Sequence, residues 1–404
     1  MSATVDGNGD IPHFESEMRN VPISPPGLTS SQWDAICALP AHTDTHIPAE
    51  EDQRPAAVYL SDTRFTSELT HLFKKVPVVA TTSAYLSEPG TAVALDGYGV
   101  PLLVTRDRQG RAHAFINACR HRGSKIVESC EPSKANLMVC PYHAWSYSLE
   151  GKLAAIPRHE TFPSLKKENL GLVPLATWEC GGFIWVGLDH TAQPTLLSGT
   201  EQIAADLEAF GLDRMHVYGR RTYDLAANWK LVIEPFLEGY HVQRLHAQSI
   251  GNMFADQPSV YAQFGHHMRQ TSGKAHFNPE LLKADIHNLH KHITHAYLVF
   301  PNTVVVTSPY YISVMVLMPR AANRTLVDYY MLVKGKPDTP KAEDLYRRSY
   351  ELIHAVFGGE DFRAACLQQE ALNSGAVSEV HYGGLENMIG PFHRSVESFL
   401  PDQP

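Results

Sequence analysis

Residues 119–147, CRHRGSKIVESCEPSKANLMVCPYHAWSY, contain two short loops that each pair a cysteine with a histidine. Cys119 lies two positions before His121, and Cys140 lies three positions before His143. Eighteen residues separate the C-x-H pair from the C-x-x-H pair. Thiolate and imidazole side chains are ligands of soft and borderline transition metals, so the pattern predicts a metal centre in this stretch.

Two kinds of metal centre use this set of ligands. In a Rieske [2Fe–2S] cluster, two Cys bind one iron and two His bind the other, which raises the reduction potential above that of an all-Cys cluster. A structural zinc site also takes two Cys and two His, but its usual spacing pairs Cys with Cys and His with His. Because each pair here mixes the two residue types, the spacing favours the iron–sulfur cluster and leaves zinc as the alternative. The predicted cluster ligands are Cys119, His121, Cys140 and His143.

The flanks of these loops, AFINACRHRGSKI and VCPYHAWSYSLEGKL, resemble the Rieske domain of the Rieske-type non-haem iron oxygenases, the aromatic ring-hydroxylating dioxygenase alpha-subunit family. Arg122 and Gly123 after the first His, and Tyr142 and Trp145 around the second, contribute to the resemblance. The resemblance implies an α+β fold. An N-terminal antiparallel β domain would carry the cluster, and an α+β catalytic domain with an antiparallel sheet flanked by helices would hold a mononuclear non-haem iron.

Length and composition fit a globular protein of this kind. A chain of 404 residues exceeds the usual size of one domain, so we expect two domains around separate cores. Hydrophobic residues make up 44% and charged residues 19%, which is ordinary for globular proteins. The net charge of −9 argues against nucleic-acid binding and against an anionic membrane surface. No run of eighteen apolar residues occurs, so no segment is predicted to span a bilayer.

The expected location is the cytoplasm. The first stretch, MSATVDGNGDIPHFESEMRN, lacks the basic and apolar regions of a secretory signal. Six Cys in so long a chain do not make a disulfide framework, and those outside the cluster are predicted to be unpaired thiols.

Three regions are predicted along the chain. Residues 1–57 form an N-terminal extension that is expected to be partly disordered or to wrap the surface, apart from a short helix around residues 30–39. Residues 58–195 form the Rieske domain, whose alternating segments and Gly-bearing turns predict β-hairpins. Residues 196–404 form the catalytic domain, with several strands and a long helical stretch over residues 341–372.

A second metal site is predicted in the catalytic region. His241 and His246 form H-x4-H, which at near-helical spacing points both imidazoles to one side. A carboxylate from elsewhere would complete the 2-His-1-carboxylate arrangement of oxygen-activating Fe(II). In a chain with 22 His such a pair is weak on its own. The surrounding NWKLVIEPFLEGYHVQRLH, however, is similar to the iron-binding helix of the same family.

The resemblance also implies a third iron ligand and a bridging residue. GGEDFRAACLQQEAL resembles the family's ligand segment, with Asp361 at the ligand position. Glu360 is the alternative, because adjacent helical residues point about 100° apart and one of the two carboxylates would be solvated. Glu238, three residues before His241, occupies the family position that links the iron-binding His to a Rieske His of a neighbouring subunit, here His143. Such a bridge between subunits implies a homotrimer. The alternative is that Glu238 is an ordinary solvated carboxylate on the surface.

This sequence differs from the family pattern at two positions near the predicted iron site, and these differences leave the substrate class open. Pro235 stands where many members have an Asn close to the iron. Glu238 replaces the Asp of naphthalene-dioxygenase-like members, and similar Glu-bearing sequences include carnitine-type oxygenases that demethylate or cleave amines. Phe236, Leu237 and Val299 are candidates for the apolar wall of a substrate pocket.

A histidine-rich stretch follows in the second half of the chain. We expect its histidines to border a substrate entrance or a subunit contact rather than to bind metal, because His clusters match metal motifs easily. They are His287, His290, His292 and His295.

The implied function is that of a terminal oxygenase component, with a Rieske [2Fe–2S] cluster and a mononuclear Fe(II) as cofactors. Electrons from NAD(P)H would come from a separate reductase, with or without a ferredoxin, since the chain has no G-x-G-x-x-G fingerprint. The enzyme would use these electrons and O2 to hydroxylate or dihydroxylate a small organic, aromatic substrate. The alternatives are an N- or O-dealkylating monooxygenase with the same centres and a Rieske electron carrier without oxygenase activity. Whether a small beta subunit joins the trimer stays open.

Overall fold

The computed structural model of the protein describes residues 27–401. Within that range, helices combine with antiparallel sheets, which confirms the predicted α+β class. Of the predicted N-terminal extension, residues 1–57, the first 26 lie outside the described residues.

The described part of the predicted extension is folded. The helix Ser30–Cys37 begins with a capping box, in which the Thr29 hydroxyl and the Gln32 side chain satisfy each other's backbone N–H groups. Farther along, the strand Asp52–Pro55 pairs antiparallel with the strand Glu379–Tyr382 near the C-terminus. The extension therefore connects the beginning of the described chain to its end.

Three small antiparallel sheets form the first half of the described chain. The five-stranded sheet is ordered Pro174–Leu175, Ala112–Ile116, Leu102–Arg106, Thr91–Leu95 and Ser133–Lys134. The three-stranded sheets are ordered Thr177–Cys180, Phe183–Val186 and Val78–Thr82, and Met138–Val139, Ser146–Tyr147 and Leu153–Ala155. The hairpin between Met138–Val139 and Ser146–Tyr147 carries the second Cys/His loop.

A seven-stranded antiparallel sheet forms the second half. Its strands are ordered His216–Leu225, Arg324–Val333, Ile312–Ala321, Thr303–Thr307, Ile293–Val299, His267–Lys274 and Phe254–Phe264. The central strands are rich in β-branched and aromatic residues and are buried along nearly their whole length, which is why they form the middle of a sheet covered on both faces.

The helical segments are short except near the C-terminus. The α-helices after the extension are Ala57–Leu60, Asp62–Glu68, Thr200–Ala209, Trp229–Ile233, Val242–Leu245, Leu281–Ala284, Pro340–Ile353, Phe362–Leu372 and Ile389–Glu397. The segments Leu69–Phe73 and His354–Asp361 are π-helical. The 3-10 turns are His42–Asp44, Ser83–Leu86, His159–Thr161, Lys167–Asn169, Leu212–Arg214, Glu234–Leu237, Gly251–Met253, Ile286–Lys291 and Gly384–Glu386. Between residues 27 and 401, no helix has the length and apolar character needed to cross a bilayer.

The main hydrophobic core contains residues of both halves of the chain. The expectation that each half packs around its own separate core is therefore wrong. One cluster of buried residues contains Val78 and Phe183 from the first half and Tyr330 from the second. Asn302, which is fully buried, accepts from the backbone N–H of Val79 and donates to its carbonyl, both at 3.1 Å. A smaller separate cluster lies under the Cys/His loops. The two halves are thus joined by shared packing and by hydrogen bonds.

A buried ion pair joins the early helix to the core, and its removal tests how much the shared core depends on it. Lys230 Nζ donates to both carboxylate oxygens of Glu68, at 2.7 and 2.8 Å, and both side chains are fully buried. We expect Lys230→Met to lower the free energy of unfolding by up to about 3 kcal/mol, because the buried Glu68 carboxylate loses its ammonium partner and keeps the Arg64 guanidinium, at 3.2 Å. The measurement is urea-induced unfolding followed by circular dichroism.

The matched control is the exposed ion pair between Arg324 and Asp224, whose side chains are 56% and 52% exposed. Arg324→Met should cost about 0–1 kcal/mol. Equal effects of the two substitutions would contradict the importance of the buried pair.

Candidate metal centres

The two Cys/His loops have the same backbone turn. Gly123 and Ala144, each four positions after a loop cysteine, have φ angles of +78° and +56°. Their N–H groups donate to the carbonyls of Cys119 and Cys140, at 2.8 and 3.0 Å. A positive φ is uncommon for a residue with a side chain. Its presence at Ala144 shows that the second loop holds the same turn as the first without a glycine.

The sulfur side of this site is buried and hydrogen-bonded. Cys119 and Cys140 are 4% and 2% exposed. The Tyr147 hydroxyl lies 3.3 Å from Cys119 Sγ and accepts from the Arg120 N–H at 2.9 Å. In the described part of the chain all six cysteines are free thiols, so no disulfide competes for these sulfurs. Hydrogen bonds of this kind tune the potential of an iron–sulfur cluster.

The imidazole side lies close to the surface. The rings of His121 and His143 are 4.7 Å apart, and His121 stacks on Trp145 at 4.9 Å. His121 Nδ1 is buried without a hydrogen-bond partner among residues 27–401, as expected of a nitrogen reserved for a metal. His143 and Tyr142 are exposed. The four side chains therefore fit a Rieske cluster with one imidazole open to contact from outside.

The segment with the second predicted site is not one continuous helix. The chain passes from Trp229–Ile233 through the 3-10 turn Glu234–Leu237 and becomes extended at Glu238. A single helical turn, Val242–Leu245, follows, and His241 and His246 flank it. This one turn is enough to place both imidazoles on the same side.

Three predicted ligand side chains meet at one point. We call His241, His246 and Asp361 the triad. Asp361 Oδ1 lies 3.4 Å from His241 Nε2 and 3.3 Å from His246 Nε2. Donors about 2.1 Å from a small divalent cation are about 3 Å apart when they meet at right angles. Both oxygens of Asp361 are buried, and neither has a hydrogen-bond partner in the described chain. The triad can therefore hold such a cation.

The charges around the triad favour a cation. Burial alone would lower the pKa of His241, but the carboxylates of Asp361 and Glu238 outweigh it and raise this pKa to about 10. Burial also favours protonation of Asp361, yet the two imidazoles lower the pKa of its carboxyl. Buried negative charge of this kind is balanced in proteins by a proton or a metal ion.

Two further carboxylates orient the imidazoles. Glu238 Oε1 bonds to Nδ1 of His241, and Glu360 Oε2 bonds to Nδ1 of His246. The Nε2 atom of each ring therefore faces Asp361, and a carboxylate at the other ring nitrogen is usual for metal-binding histidines. The alternative that Glu238 is simply solvated is not supported, since its side chain is only 8% exposed.

Glu360 is not a solvated neighbour of Asp361, so that expectation is wrong. Its side chain is 25% exposed and also accepts from the Ser249 hydroxyl at 2.7 Å. Sequence reasoning missed this contact because Ser249 and Glu360 are 111 positions apart. The sequence signal for Glu360 was its position beside Asp361, which left a second carboxylate near the iron site without an assigned role.

A cavity of about 110 Å³, which we call the inner cavity, lies beside the triad. Its apolar lining includes Phe236, Phe254 and Phe357. Of the predicted wall residues, Phe236 lines the cavity. Leu237 and Val299 are instead buried in the main core, so their prediction is wrong.

A larger cavity of about 530 Å³, the outer cavity, also touches Glu238 and His241. Its lining includes Glu234, Tyr382 and Glu386. Glu238 and His241 therefore border two cavities, a small one lined in part by Phe side chains and a large one lined in part by carboxylates.

The histidine-rich stretch does not gather into one site. His295 is fully buried and lies 3.0 Å from the Thr271 hydroxyl. His292 pairs with Asp285 at 2.9 Å and with His276 at 3.0 Å. His287 is exposed and His290 is half-buried, and both line a third cavity away from the triad. Among the His, Cys, Asp and Glu side chains of residues 27–401, the triad is the group of three whose ligand atoms lie close enough together to bind one ion.

Two protein-family models match this chain. A family model described as "Rieske [2Fe-2S] domain" matches residues 76–169. A second, described as "Ring hydroxylating alpha subunit (catalytic domain)", matches residues 212–402. The two matches follow each other in the order that the motifs predict and together cover most of the chain.

Several curated relatives are named as monooxygenases of choline, glycine betaine or carnitine. The chain is 33% identical to choline monooxygenase of Spinacia oleracea over 55% of this chain and 51% of the relative. It is 26% identical to the carnitine monooxygenase oxygenase subunit of Acinetobacter baumannii over 79% and 85%. The match thus spans about half the length of the choline monooxygenase, and more of the carnitine enzyme.

Solved structures share the fold. A quaternary ammonium Rieske monooxygenase superposes with a TM-score of 0.74 and 22% identity, over 91% of this chain and 98% of the other. Naphthalene 1,2-dioxygenase from Rhodococcus sp. gives 0.69 and 20%, over 87% and 95%. With both domain matches in sequence order and this fold, the chain belongs to the Rieske-type non-haem iron oxygenases, the ring-hydroxylating alpha-subunit family.

Proposed function

We propose that the chain is the terminal oxygenase of a multicomponent system that uses O2 and electrons from NAD(P)H, delivered by a separate reductase. The triad carries this proposal, because its three ligand atoms converge beside a cavity and both imidazoles are oriented by carboxylates. When bound, the cluster would supply single electrons and the ferrous ion would activate O2. The proposed cluster ligands are Cys119, His121, Cys140 and His143, and the proposed iron ligands are His241, His246 and Asp361.

Glu238 is proposed to bridge the two centres of neighbouring subunits. Its carboxylate holds His241 and borders the outer cavity, which offers room for a side chain of another copy. The exposed His143 is the proposed partner, in a head-to-tail homotrimer. The unpaired cysteines agree with the reducing cytoplasm that we propose as its location.

The proposed substrate is a small trimethylammonium compound rather than an aromatic hydrocarbon. The names of the relatives support this class. So does the inner cavity, which is small and places the rings of Phe236, Phe254 and Phe357 around a space bordered by carboxylates. Aromatic rings attract quaternary ammonium groups through cation–π interactions.

The proposed reaction is a monooxygenation beside the nitrogen. One oxygen atom of O2 enters a C–H bond of the substrate to give a hydroxyl. The other oxygen atom leaves as water after taking up two electrons, which come from NAD(P)H, and two protons.

Aromatic hydroxylation is the second candidate, because the same phenylalanine rings can stack on an aromatic substrate. Isotope labelling separates the two candidates. Reduced protein is exposed to ¹⁸O2 with choline and quenched at once with borohydride, because a hydroxyl beside nitrogen collapses to an aldehyde that exchanges its oxygen with water. The trapped product should contain at most one labelled oxygen atom, whereas naphthalene should give no labelled product. Two labelled atoms in a naphthalene product would favour the second candidate. No oxygenated product from either compound would favour a pure electron carrier.

The triad can be tested by iron content. We expect Asp361→Asn to reduce iron from about three to about two atoms per chain, because the cluster keeps its two irons and the second site loses its anionic ligand. Glu360→Gln is the matched control at the adjacent position. It should keep the third iron but bind it about 10- to 100-fold more weakly, since it only orients His246.

The measurements are iron and acid-labile sulfide analysis, with the visible spectrum of the cluster as a check on folding. Retention of a third, tightly bound iron in Asp361→Asn would show that another residue completes the site.

The bridging role of Glu238 can be tested by a single turnover. Glu238→Gln keeps the size of the side chain but removes its charge, so oxidation of the reduced cluster by O2 and substrate should slow by about 10- to 100-fold. Like Glu360→Gln, this variant should bind the third iron more weakly, so the protein is saturated with Fe(II) before the turnover and its iron content is measured. Glu386→Gln, in the same outer cavity, is the control and should leave the rate as it is. Equal rates in both variants would argue against the bridge, and sedimentation would test the trimer separately.

A further inference from the structure

One wall of the inner cavity is polar. Strand register places Ser259 opposite Ser272, and Ser272 opposite Thr294. Gln270 lies two residues before Ser272 and therefore points to the same face of the sheet. All four side chains line the inner cavity, and we call them the polar floor.

The polar floor is a connected set of hydrogen bonds with one free acceptor. The hydroxyls of Ser259 and Ser272 are 2.8 Å apart, and Gln270 Nε2 donates to Ser272 Oγ at 3.1 Å. Gln270 is only 5% exposed. Within residues 27–401, its carboxamide oxygen has no hydrogen-bond partner, and Gln270 lines the inner cavity, so this oxygen is available to a ligand there.

The polar floor lies next to the triad. A Cβ atom added to Gly239 would be 3.7 Å from Gln270 Nε2, so the amide lies close to the backbone that joins Glu238 to His241. The strand that carries Ser259 has a register shift after Phe254, which brings a serine and a phenylalanine to the same cavity. A small substrate can thus touch the phenylalanine rings and the polar floor at once.

The inner cavity has no basic side chain to receive a carboxylate. Glu238 and Asp361 line it, and among the described residues no Lys or Arg does. Arg244, on the helical turn beside the triad, is 52% exposed and already paired with Asp256 at 2.9 Å. A carboxylate buried on the polar floor would lack a counter-charge and would lie near two other carboxylates.

From this geometry we propose that Gln270, Ser259 and Ser272 form a subsite for a hydroxyl group of the substrate. The subsite discriminates against substrates that carry a carboxylate at that position. A hydroxyl donates to the free oxygen of Gln270 and accepts from a serine hydroxyl. The inference rests on the proposed oxygenase function and narrows its substrate class to trimethylammonium alcohols.

Binding without turnover tests the subsite. Oxidised, iron-loaded protein without reductant is titrated calorimetrically with choline, glycine betaine and ethyltrimethylammonium, which end in a hydroxyl, a carboxylate and a methyl group. We expect choline to bind about 3- to 10-fold more tightly than ethyltrimethylammonium, the gain of one or two net hydrogen bonds. Glycine betaine should bind more weakly than both.

The variants assign the preference to named side chains. Gln270→Leu should abolish the advantage of choline over ethyltrimethylammonium, and Ser272→Ala, a smaller change, should reduce it. Gln263→Leu is the matched control, because Gln263 is exposed on the neighbouring strand and bonds only to the Gly265 carbonyl, at 2.8 Å. The control should bind all three compounds like the unchanged protein.

A parallel series separates failure of the subsite from failure of the proposed substrate class. Benzyl alcohol, benzoate and ethylbenzene carry the same three endings on an aromatic ring. Preference for the alcohol in this series alone would support the subsite and overturn the trimethylammonium class. Preference for a carboxylate in either series, or a choline advantage that survives in Gln270→Leu, would overturn the subsite. Neither result would contradict the proposed oxygenase function. Binding of neither series would overturn both.

Discussion

The carboxylate of Asp361 is the constraint on which the second half of the chain depends. It is buried between two imidazoles, and within the described residues no hydrogen bond satisfies either oxygen. Such a group is costly unless a cation compensates it. The surrounding features follow from this need. Glu238 and Glu360 turn the imidazoles toward it, and the π-helical segment His354–Asp361 brings it inward from an otherwise regular helical stretch.

The residues predicted from the sequence were those whose relation is local. Cys119 and His121 are two positions apart, and their pattern could be recognised without knowledge of the fold. Asp361 was reached only by resemblance, because nothing in its own segment indicates which histidines it meets. Contacts such as that between Glu360 and His246, 114 positions apart, depend on how the helices pack. The error at Val299 has the same origin, since side chains alternate between the two faces of a strand and the cavity touches only one.

The position of His241 between two cavities separates the tasks of the site. The inner cavity is small, with phenylalanine rings on one side and the polar floor on another. The outer cavity is larger, is lined in part by carboxylates and a tyrosine, and shares Glu238 and His241 with the inner cavity. Most of the lining residues belong to one cavity alone. Substitutions at those residues can therefore alter the proposed electron route and the proposed substrate site separately, even though one histidine borders both.

The continuous core has a consequence for how such a chain can evolve and be dissected. Val78, Phe183 and Tyr330 belong to one packed cluster, and Asn302 joins the backbone of the first half to the second. A hinge motion between the halves would have to break this packing. Cutting the gene between the two family domains would yield two fragments with exposed apolar faces, rather than a free electron carrier and a free oxygenase.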